Sequence, residues 1–171
     1  MVSEKFANSL EGDQGRELLP PPTPGLEGTG MDLEEIKEVL PHRDPFLLVD
    51  KVVARDGLRA GWGEKKLSGE EFYFQNHFEG RPQVPKSVLV EIMAQAGAAC
   101  VLSAPEYRDK LLLFASIEEC DFGRPPVPGE LLELRVETRG LRRGMGKMRA
   151  QCWVGSELLA DGLLMFALAD K

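Results

Sequence analysis

The sequence predicts an α+β domain in which a curved antiparallel β-sheet wraps around one long apolar helix. Thirteen of the sixteen residues from Ser87 to Leu102 are apolar or glycine, a run too long for an ordinary strand and therefore helical. A helix that is apolar on all sides has to be covered by other structure. Most of the chain after residue 111 has the short, alternating pattern of strands, which can supply that cover.

Five or six strands are predicted, separated by turn signals. The alternation is strict in residues 131–139 and 147–154, which indicates one buried and one hydrated face, as in an antiparallel sheet. Asp56-Gly57 and Gly155-Ser156 are typical of hairpin turns. The predicted strands are FLLVDKVVA (46–54), LRAGWGEKKL (58–67), LLLFASIEECDF (111–122), LLELRVETR (131–139), the segment 147–154 and ELLADGLLMFALA (157–169).

The chain divides into a leader and one domain. Residues 1–30 contain a proline run, scattered glycines and few large apolar side chains, so we expect a disordered tail or leader. The folded domain then spans residues 31–171. Asp32 and Glu35 have the spacing of a capping box and predict a short helix that Pro41 ends. For the long helix, Pro85 suits the first turn and Ser87 is a candidate cap.

Composition excludes several classes of function. A net charge of -7 argues against general nucleic-acid binding, and no apolar run is long enough to predict a membrane span. The N-terminus lacks the apolar core of a signal peptide. The three cysteines are far apart and form no metal-ligand motif, so we expect no metal site and free thiols in a reducing compartment. The cysteines are Cys100, Cys120 and Cys152.

Two residues in and before the long helix are candidates for acid–base chemistry. Glu91 is flanked by apolar residues and has no basic residue three or four positions away. Burial of an unpaired carboxylate is costly, so Glu91 is expected to be protonated or to have a partner elsewhere in space. His77 is one of two histidines and precedes the helix on a Gly/Pro-rich loop. These residues suit a base, an acid and an oxyanion-binding helix end, although structural roles also fit them.

Several ordered segments resemble the β-hydroxyacyl-acyl-carrier-protein dehydratases of type II fatty acid synthesis, which have the hot-dog fold. The resemblance runs from about Asp32 to the C-terminus. The central motif is HFEGRPQVPKSVLVEIMAQ, with His77 and Glu91 fourteen positions apart as in the family. The other segments are IKEVLPHRDPFLLVDKV (36–52), FASIEECDFGRPPVPGELLEL (114–134) and RRGMGK (142–147).

The resemblance implies an activity and an assembly. His77 would take the α-proton of a (3R)-3-hydroxyacyl thioester, and Glu91 would protonate the leaving hydroxyl to give the trans-2-enoyl thioester. The family forms dimers, often assembled into hexamers, in which the histidine of one subunit meets the acid of the other. No cofactor of the enzyme's own is implied, because the phosphopantetheine arm arrives with the substrate. The resemblance also implies a cytoplasmic enzyme. The expected substrate-binding residues are Phe78, Gly80, Lys86 and Ser87.

A basic cluster stands out in this acidic protein. It is either a hydrated strand-turn surface or, as the resemblance favours, the docking site for acyl carrier protein, a very acidic partner. The cluster comprises Arg139, Arg142, Arg143, Lys147 and Arg149. The aromatic residues Phe72, Tyr73, Phe74 and Phe78 could line an acyl tunnel or pack in the core or in a dimer interface. His42 is expected to be a structural turn residue.

The chain departs from the family at two positions. The family usually has proline at the position of Glu79 and glycine at the position of Lys86. If that glycine takes a positive φ, Lys86 is strained. Two alternatives to the dehydratase therefore stay open. One is a hydratase or thioesterase that acts on acyl-CoA, and the other is a non-catalytic acyl-binding subunit.

Overall fold

Seven strands form one antiparallel sheet in the order β1-β2-β3-β5-β6-β7-β4. The computed structural model describes residues 18–20, 29–55, 60–75 and 80–171. The strands are β1 (Thr29–Met31), β2 (Lys51–Arg55), β3 (Ala60–Lys66), β4 (Lys110–Phe122), β5 (Leu131–Arg142), β6 (Met145–Val154) and β7 (Glu157–Asp170). The helices are α1 (Leu33–Val39) and α2 (Lys86–Leu102), with single 3-10 turns at Phe72–Phe74 and Pro105–Tyr107.

Helix α2 lies against the inner face of the sheet, as the sequence predicts. Thirteen of its seventeen residues are buried. Small residues bring the helix close to the strands, since a Cβ atom added to Gly63 would lie 3.2 Å from the Cβ of Ala96. On the helix itself, a Cβ atom added to Gly97 would lie 2.2 Å from the sulfur of Met148. Among the described residues, no helix combines the length and the apolar character needed to cross a membrane.

The start of the domain confirms the predicted cap and adds a strand. The Asp32 side chain accepts hydrogen bonds from the backbone of residues 34 and 35, and the Glu35 side chain accepts one from the backbone of Asp32. This capping box starts α1, which ends before Leu40. Strand β1 begins at Thr29 and pairs with β2, so residues 29 and 30 belong to the sheet rather than to the expected leader. The rest of the division at residue 30 stays a prediction.

The first predicted strand is too long at its N-terminal end. Residues 46–50 precede β2 and form no part of it. The backbone N–H of Leu48 donates to the side chain of Gln95 on α2, and the carbonyl of Phe46 accepts from the same side chain. Because a helix side chain takes the backbone groups of Phe46 and Leu48, this segment is bonded to α2, and pairing with β3 begins only at Asp50, whose N–H donates to the carbonyl of Glu64 at 2.9 Å. The hairpin predicted at Asp56-Gly57 lies outside the described residues.

The outer face of the sheet, which we define as the face that points away from α2, is only partly hydrated. On β5, Leu132 and Leu134 point into the core as predicted. Several polar or aromatic side chains of the opposite alternation are also buried, which corrects the prediction that this face is wet. They are Trp62, Arg135, Arg149, Gln151, Trp153 and Asp161.

Candidate active site

Glu91 lies on the one polar stripe of α2. Its side chain is 41% exposed, so the expectation that it is buried among apolar residues is wrong for the single chain. It does have a partner in space, because Gln95 Nε2 donates a 2.8 Å hydrogen bond to Glu91 Oε1. Ser87, Glu91 and Gln95 are spaced four residues apart and therefore share one helix face. The stripe runs from the exposed helix start to the buried Gln95.

Gln95 connects Glu91 to the segment that crosses the helix. Its side chain is 2% exposed. Oε1 accepts from the backbone N–H of Leu48 at 2.8 Å, and Nε2 donates to the carbonyl of Phe46 at 2.9 Å. Gln95 is not among the predicted site residues, although a polar side chain four residues after Glu91 in an apolar helix is a usable signal. The amide fixes the position of the Glu91 carboxyl relative to this segment.

His42 also contacts the carboxyl. Its Nε2 lies 3.5 Å from Glu91 Oε1, so the expectation of a turn residue bonded only locally is wrong. The nearby Asp44-Pro45 peptide bond is cis. His42 Nδ1 is buried and has no hydrogen-bond partner among the described residues. The structure therefore groups an imidazole, a carboxyl and an amide at one place on α2.

The segment that enters α2 is held by the loop after β4. The backbone N–H of Val84 donates to the carbonyl of Pro126 at 2.8 Å, which ties the entry segment to the loop after β4. Pro85 is the N-cap and provides no side-chain cap, so Ser87 is the second helical residue and the prediction of Ser87 as the cap is wrong. The first turn contains no acidic side chain. Its N–H groups are free of intrahelical partners, as at any helix start.

Lys86 is an ordinary first residue of a helix. The only described non-glycine residue with a positive φ is Arg143, so the anticipated strain at Lys86 is absent. Its ammonium lies over the ring of Phe122, 5.1 Å from the centroid. Lys86 and Phe122 line a cavity of about 320 Å³ between the start of α2 and the end of β4. The cation thus lies beside the cavity and is held by an aromatic ring.

The other half of the predicted catalytic pair falls outside the structure's described part. His77, Phe78 and Glu79 belong to residues 76–79, which are not described, so the pairing of His77 with Glu91 stays a prediction. Gly80 is exposed and has a φ of 71°, a conformation that favours glycine.

The basic cluster divides into three environments. Arg149 is buried and its Nε donates to Asp161 at 3.0 Å, so it is not a surface cation and the prediction that it docks a partner is wrong. Arg139 is bonded to Glu137 of its own strand, and Lys147 is bonded to Glu118 of β4, which lies beyond β7 in the sheet. Arg142 and Arg143 are exposed at the β5–β6 turn, and neither has a described ion-pair partner.

The aromatic residues of the 72–74 turn are not equivalent. Tyr73 belongs to the core, where burial raises the pKa of its hydroxyl. Phe74 packs against the core, and Phe72 is partly exposed with its ring 5.4 Å from that of Phe46. Core packing therefore accounts for Tyr73 and Phe74, while a tunnel-lining role of Phe72 stays a prediction.

The three cysteines are free thiols, as predicted. Cys100 and Cys152 are buried, whereas Cys120 is half-buried near the end of β4. Burial raises the pKa of Cys100 to about 12. It also raises the pKa of Cys120 to about 12, with a smaller contribution from nearby aspartates. These thiols stay protonated near neutral pH, which suits packing rather than nucleophilic chemistry.

Comparison with known proteins identifies the family. The model of the FabA-like domain matches residues 40–162. The 3-hydroxyacyl-[acyl-carrier-protein] dehydratase FabZ of Pelotomaculum thermopropionicum is 45% identical over 138 residues, which cover 81% of this chain and 99% of that protein. The chain belongs to the FabZ-like dehydratase family. The FabZ of Herpetosiphon aurantiacus is 44% identical to this dehydratase over 141 residues, 82% of this chain and 99% of that protein.

Solved structures confirm the hot-dog fold of the dehydratase. The dehydratase heterocomplex ApeI:P from Xenorhabdus doucetiae superposes with a TM-score of 0.68 at 18% identity, over 80% of this chain and 91% of that chain. A hypothetical thioesterase from Streptococcus pneumoniae gives a TM-score of 0.52 at 12% identity, over 69% and 83% of the two chains. Because a dehydratase complex and a protein named as a thioesterase share one fold, the fold alone does not select the reaction.

Proposed function

We propose that this enzyme removes water from (3R)-3-hydroxyacyl thioesters carried by acyl carrier protein and releases the trans-2-enoyl thioester. The observation that carries the proposal is the Glu91 carboxyl, held by Gln95 and His42 on the accessible stripe of the central helix. The close FabZ relatives support the same reaction class. The enzyme is a hydro-lyase, and the thioesterase and non-catalytic alternatives are not favoured.

Glu91 acts as the general acid. Gln95 donates to Oε1, which favours a proton on Oε2, since an oxygen that already accepts a hydrogen bond is the poorer site for the proton. Oε2 has no hydrogen-bond partner among the described residues, so it is available to the substrate. Transfer of that proton to the C3 hydroxyl releases water and leaves the carboxylate, which the Gln95 amide stabilises.

His77 is the proposed base. Its imidazole takes the proton from C2 of the acyl chain, the C2 electrons form the double bond, and the C3–O bond breaks as Glu91 protonates the oxygen. The histidine proton then returns to the carboxyl through solvent. This role rests on the fourteen-residue spacing to Glu91 in the family motif.

The start of α2 is the proposed site for the thioester oxygen. The backbone N–H groups of Lys86 and Ser87 lie in the first turn, where no intrahelical acceptor is available. The helix dipole favours the negative charge that develops on this oxygen as the α-proton leaves. Gly80 and Phe78 precede this turn in the sequence and are proposed to shape the entrance for the acyl chain.

The backbone and side-chain geometry of Lys86 weakens the case for a non-catalytic subunit. Replacing glycine with lysine preserves the backbone N–H, and the structure shows a helical backbone without positive φ at this position. The side chain points toward Phe122, where the ring holds the ammonium. The activity proposed for Glu91 is therefore compatible with Lys86.

We also propose a homodimer that pairs β4 with β4 of a second copy. Strand β4 is at the edge of the sheet, and seven consecutive residues of it are exposed. Three of these carry large apolar side chains: Leu113, Phe114 and Ile117. A long exposed apolar edge calls for a covering partner. In this dimer His77 of each chain serves Glu91 of the other, and a trimer of dimers is the proposed larger assembly.

The Arg142–Arg143 turn is the proposed docking site for acyl carrier protein. Of the original basic cluster, these two side chains are exposed without a described ion-pair partner. Arg139 and Lys147 contribute less, since Glu137 and Glu118 already compensate their charges. Charge reversal of both turn arginines should lower kcat/KM for carrier-protein substrates more than for CoA analogues. Equal losses on both substrates would refute the docking site.

Enoyl absorbance with 3-hydroxyacyl and 2-enoyl thioesters tests the reaction in both directions. Glu91→Gln should remove most turnover while leaving the fold intact, and His77→Ala should abolish turnover while the dimer persists. A wild-type protein without turnover in either direction would refute the proposed activity.

Sedimentation tests the proposed dimer. Ile117→Lys should sediment as a monomer, whereas Val127→Lys, which changes an exposed apolar residue away from β4, should sediment as wild type.

The location of the enzyme in the cytoplasm is also a proposal. It is supported by the family resemblance and by three free thiols in the described part of the chain, which suit a reducing compartment.

A further inference from the structure

The outer face of the sheet holds a short piece of the chain that precedes the domain. The backbone N–H of Leu19 donates to Gln151 Oε1 at 3.0 Å, and its carbonyl accepts from Arg135 Nη1 at 2.9 Å. The residue is 7% exposed. Two side chains from neighbouring strands thus bind both backbone groups of one residue and bury its apolar side chain. This arrangement is typical of a peptide-binding site rather than of an incidental contact.

The residues around Leu19 form a preorganised aromatic and polar surface. Trp62, Arg135 and Gln151 lie in one cross-strand row of β3, β5 and β6. The guanidinium of Arg135 stacks on the ring of Trp153, 4.2 Å from its centroid, and also pairs with Glu133. A cavity of about 210 Å³ beside residues 18–20 is lined in part by Trp62 and Arg135. Space therefore remains next to Leu19 for more of an extended ligand.

The site has more donors than the three residues of the segment satisfy. Arg135 Nε, Gln151 Nε2 and Trp153 Nε1 are buried and have no hydrogen-bond partner among the described residues. All three residues are more than nine-tenths buried. Buried donors of this kind call for acceptors. The matching ligand therefore carries carbonyl oxygens and few N–H groups of its own.

A proline-rich segment has this chemistry. Proline contributes a carbonyl acceptor and no N–H, and its ring packs well on tryptophan. The sequence of the chain at this point is Leu18-Leu19 followed by three consecutive prolines. The leucine anchor is already in place, and the three prolines that follow it in the sequence offer carbonyl acceptors without N–H groups.

We propose that the outer face of the sheet is a binding site for an extended Leu-Pro peptide, and that Leu18, Leu19 and Pro20 of this chain are its resident ligand. The site is separate from the stripe of α2 that carries Glu91, because α2 packs on the inner face. The proposal does not depend on the dehydratase activity. It assigns a specific ligand to a part of the chain that composition alone marks as a disordered leader.

Intrinsic fluorescence reports directly on this site. The protein has two tryptophans, Trp62 and Trp153, and both belong to the site. In the full-length chain, Leu19→Asp should displace the segment and shift the tryptophan emission to longer wavelength, because both rings gain contact with water. Leu18→Asp is the matched control. It introduces the same charge one residue away, at a position that is 50% exposed. Its emission should equal that of the wild type.

A peptide of residues 15–24 should reverse the effect when it is added to the Leu19→Asp protein. A tethered segment of this length acts at an effective concentration of about 1 mM, so the site must bind the free peptide with a Kd below about 1 mM to stay occupied in the intact chain. Wild-type protein should give no response, because its site is filled. The same peptide with Asp at the Leu19 position should not bind.

Three outcomes would overturn the proposal. The first is an unchanged emission spectrum in Leu19→Asp with far-UV circular dichroism showing an intact fold. The second is a Kd above about 1 mM for the peptide. The third is an equal response of wild type and Leu19→Asp, which would place peptide binding elsewhere. Dehydratase turnover of Leu19→Asp, expected at the wild-type level, separates failure of this site from failure of the proposed catalytic function.

Discussion

Replacing Gln95 with leucine should damage both stability and catalysis, because its amide serves two structures at once. The backbone N–H of Leu48 loses its acceptor in a buried position, which costs about 1–3 kcal/mol. Loss of the hydrogen bond to the carbonyl of Phe46 costs little, because Phe46 is exposed and water can replace the amide as the donor. For a chain of this size, about 1 kcal/mol corresponds to about 2–4 °C in Tm, so the expected fall is about 2–12 °C.

Catalysis should fall through the lost bond to Glu91. Gln95 stabilises the carboxylate that forms as Glu91 gives up its proton, and a hydrogen bond to a charged group contributes about 1.5–3 kcal/mol, which corresponds to a loss of about 10- to 150-fold in kcat. Circular dichroism during heating gives Tm at a fixed protein concentration, and enoyl absorbance gives kcat. Glu91→Gln is the control, because it should remove activity while the bond from Leu48 to Gln95 keeps Tm within about 1 °C. A Gln95→Leu protein with unchanged Tm, or with kcat within threefold of wild type, would contradict this account.

Three further perturbations test other parts of the structure. His42→Ala should lower kcat only about two- to fivefold, because its contact with Glu91 is half-exposed and such pairs contribute about 0.2–1 kcal/mol; a hundredfold loss would instead place His42 in the chemistry. Near pH 8, Cys120 should react slowly with a thiol reagent, since burial raises its pKa to about 12. The two buried cysteines, Cys100 and Cys152, should react only after denaturation. Rapid labelling of all three would contradict their burial. Gly97→Val should lower the free energy of unfolding, measured with urea, by about 1–3 kcal/mol, because a Cβ there would lie 2.2 Å from the Met148 sulfur. Adding Met148→Ala should recover part of this loss. Wild-type stability of Gly97→Val would show that the contact can relax.

Local signals in the sequence predict the elements whose cause is local. The capping box of Asp32 and Glu35 starts α1, and the apolar run that begins after Pro85 forms α2 with nearly the predicted bounds. The alternation of β5 and β6 identifies the inner residues, because period-two burial follows from the pleat itself. Glu91 is also singled out by a local pattern, because its neighbours within one turn are apolar, but its predicted burial is wrong for the single chain.

The missed features depend on contacts between distant parts of the chain. Residues 46–49 have strand composition, but Gln95 takes their backbone groups. Arg149 has the spacing of a surface cation, but Asp161 on the next strand buries and compensates it. His42 reaches Glu91 only because its turn crosses α2. In each case the decisive partner lies far away in sequence, and no local pattern reports it.

In the proposed dimer, the open edge at β4 would make the behaviour of the enzyme depend on its concentration. If the edge is covered only by a second copy, folding and association form one equilibrium, and each tenfold dilution removes about 1.4 kcal/mol of the driving force for pairing. A newly made chain would then be most vulnerable before it meets its partner, when thirteen residues of strand can template the wrong neighbour. The level at which the protein is produced would therefore set both its yield of active sites and its tendency to aggregate.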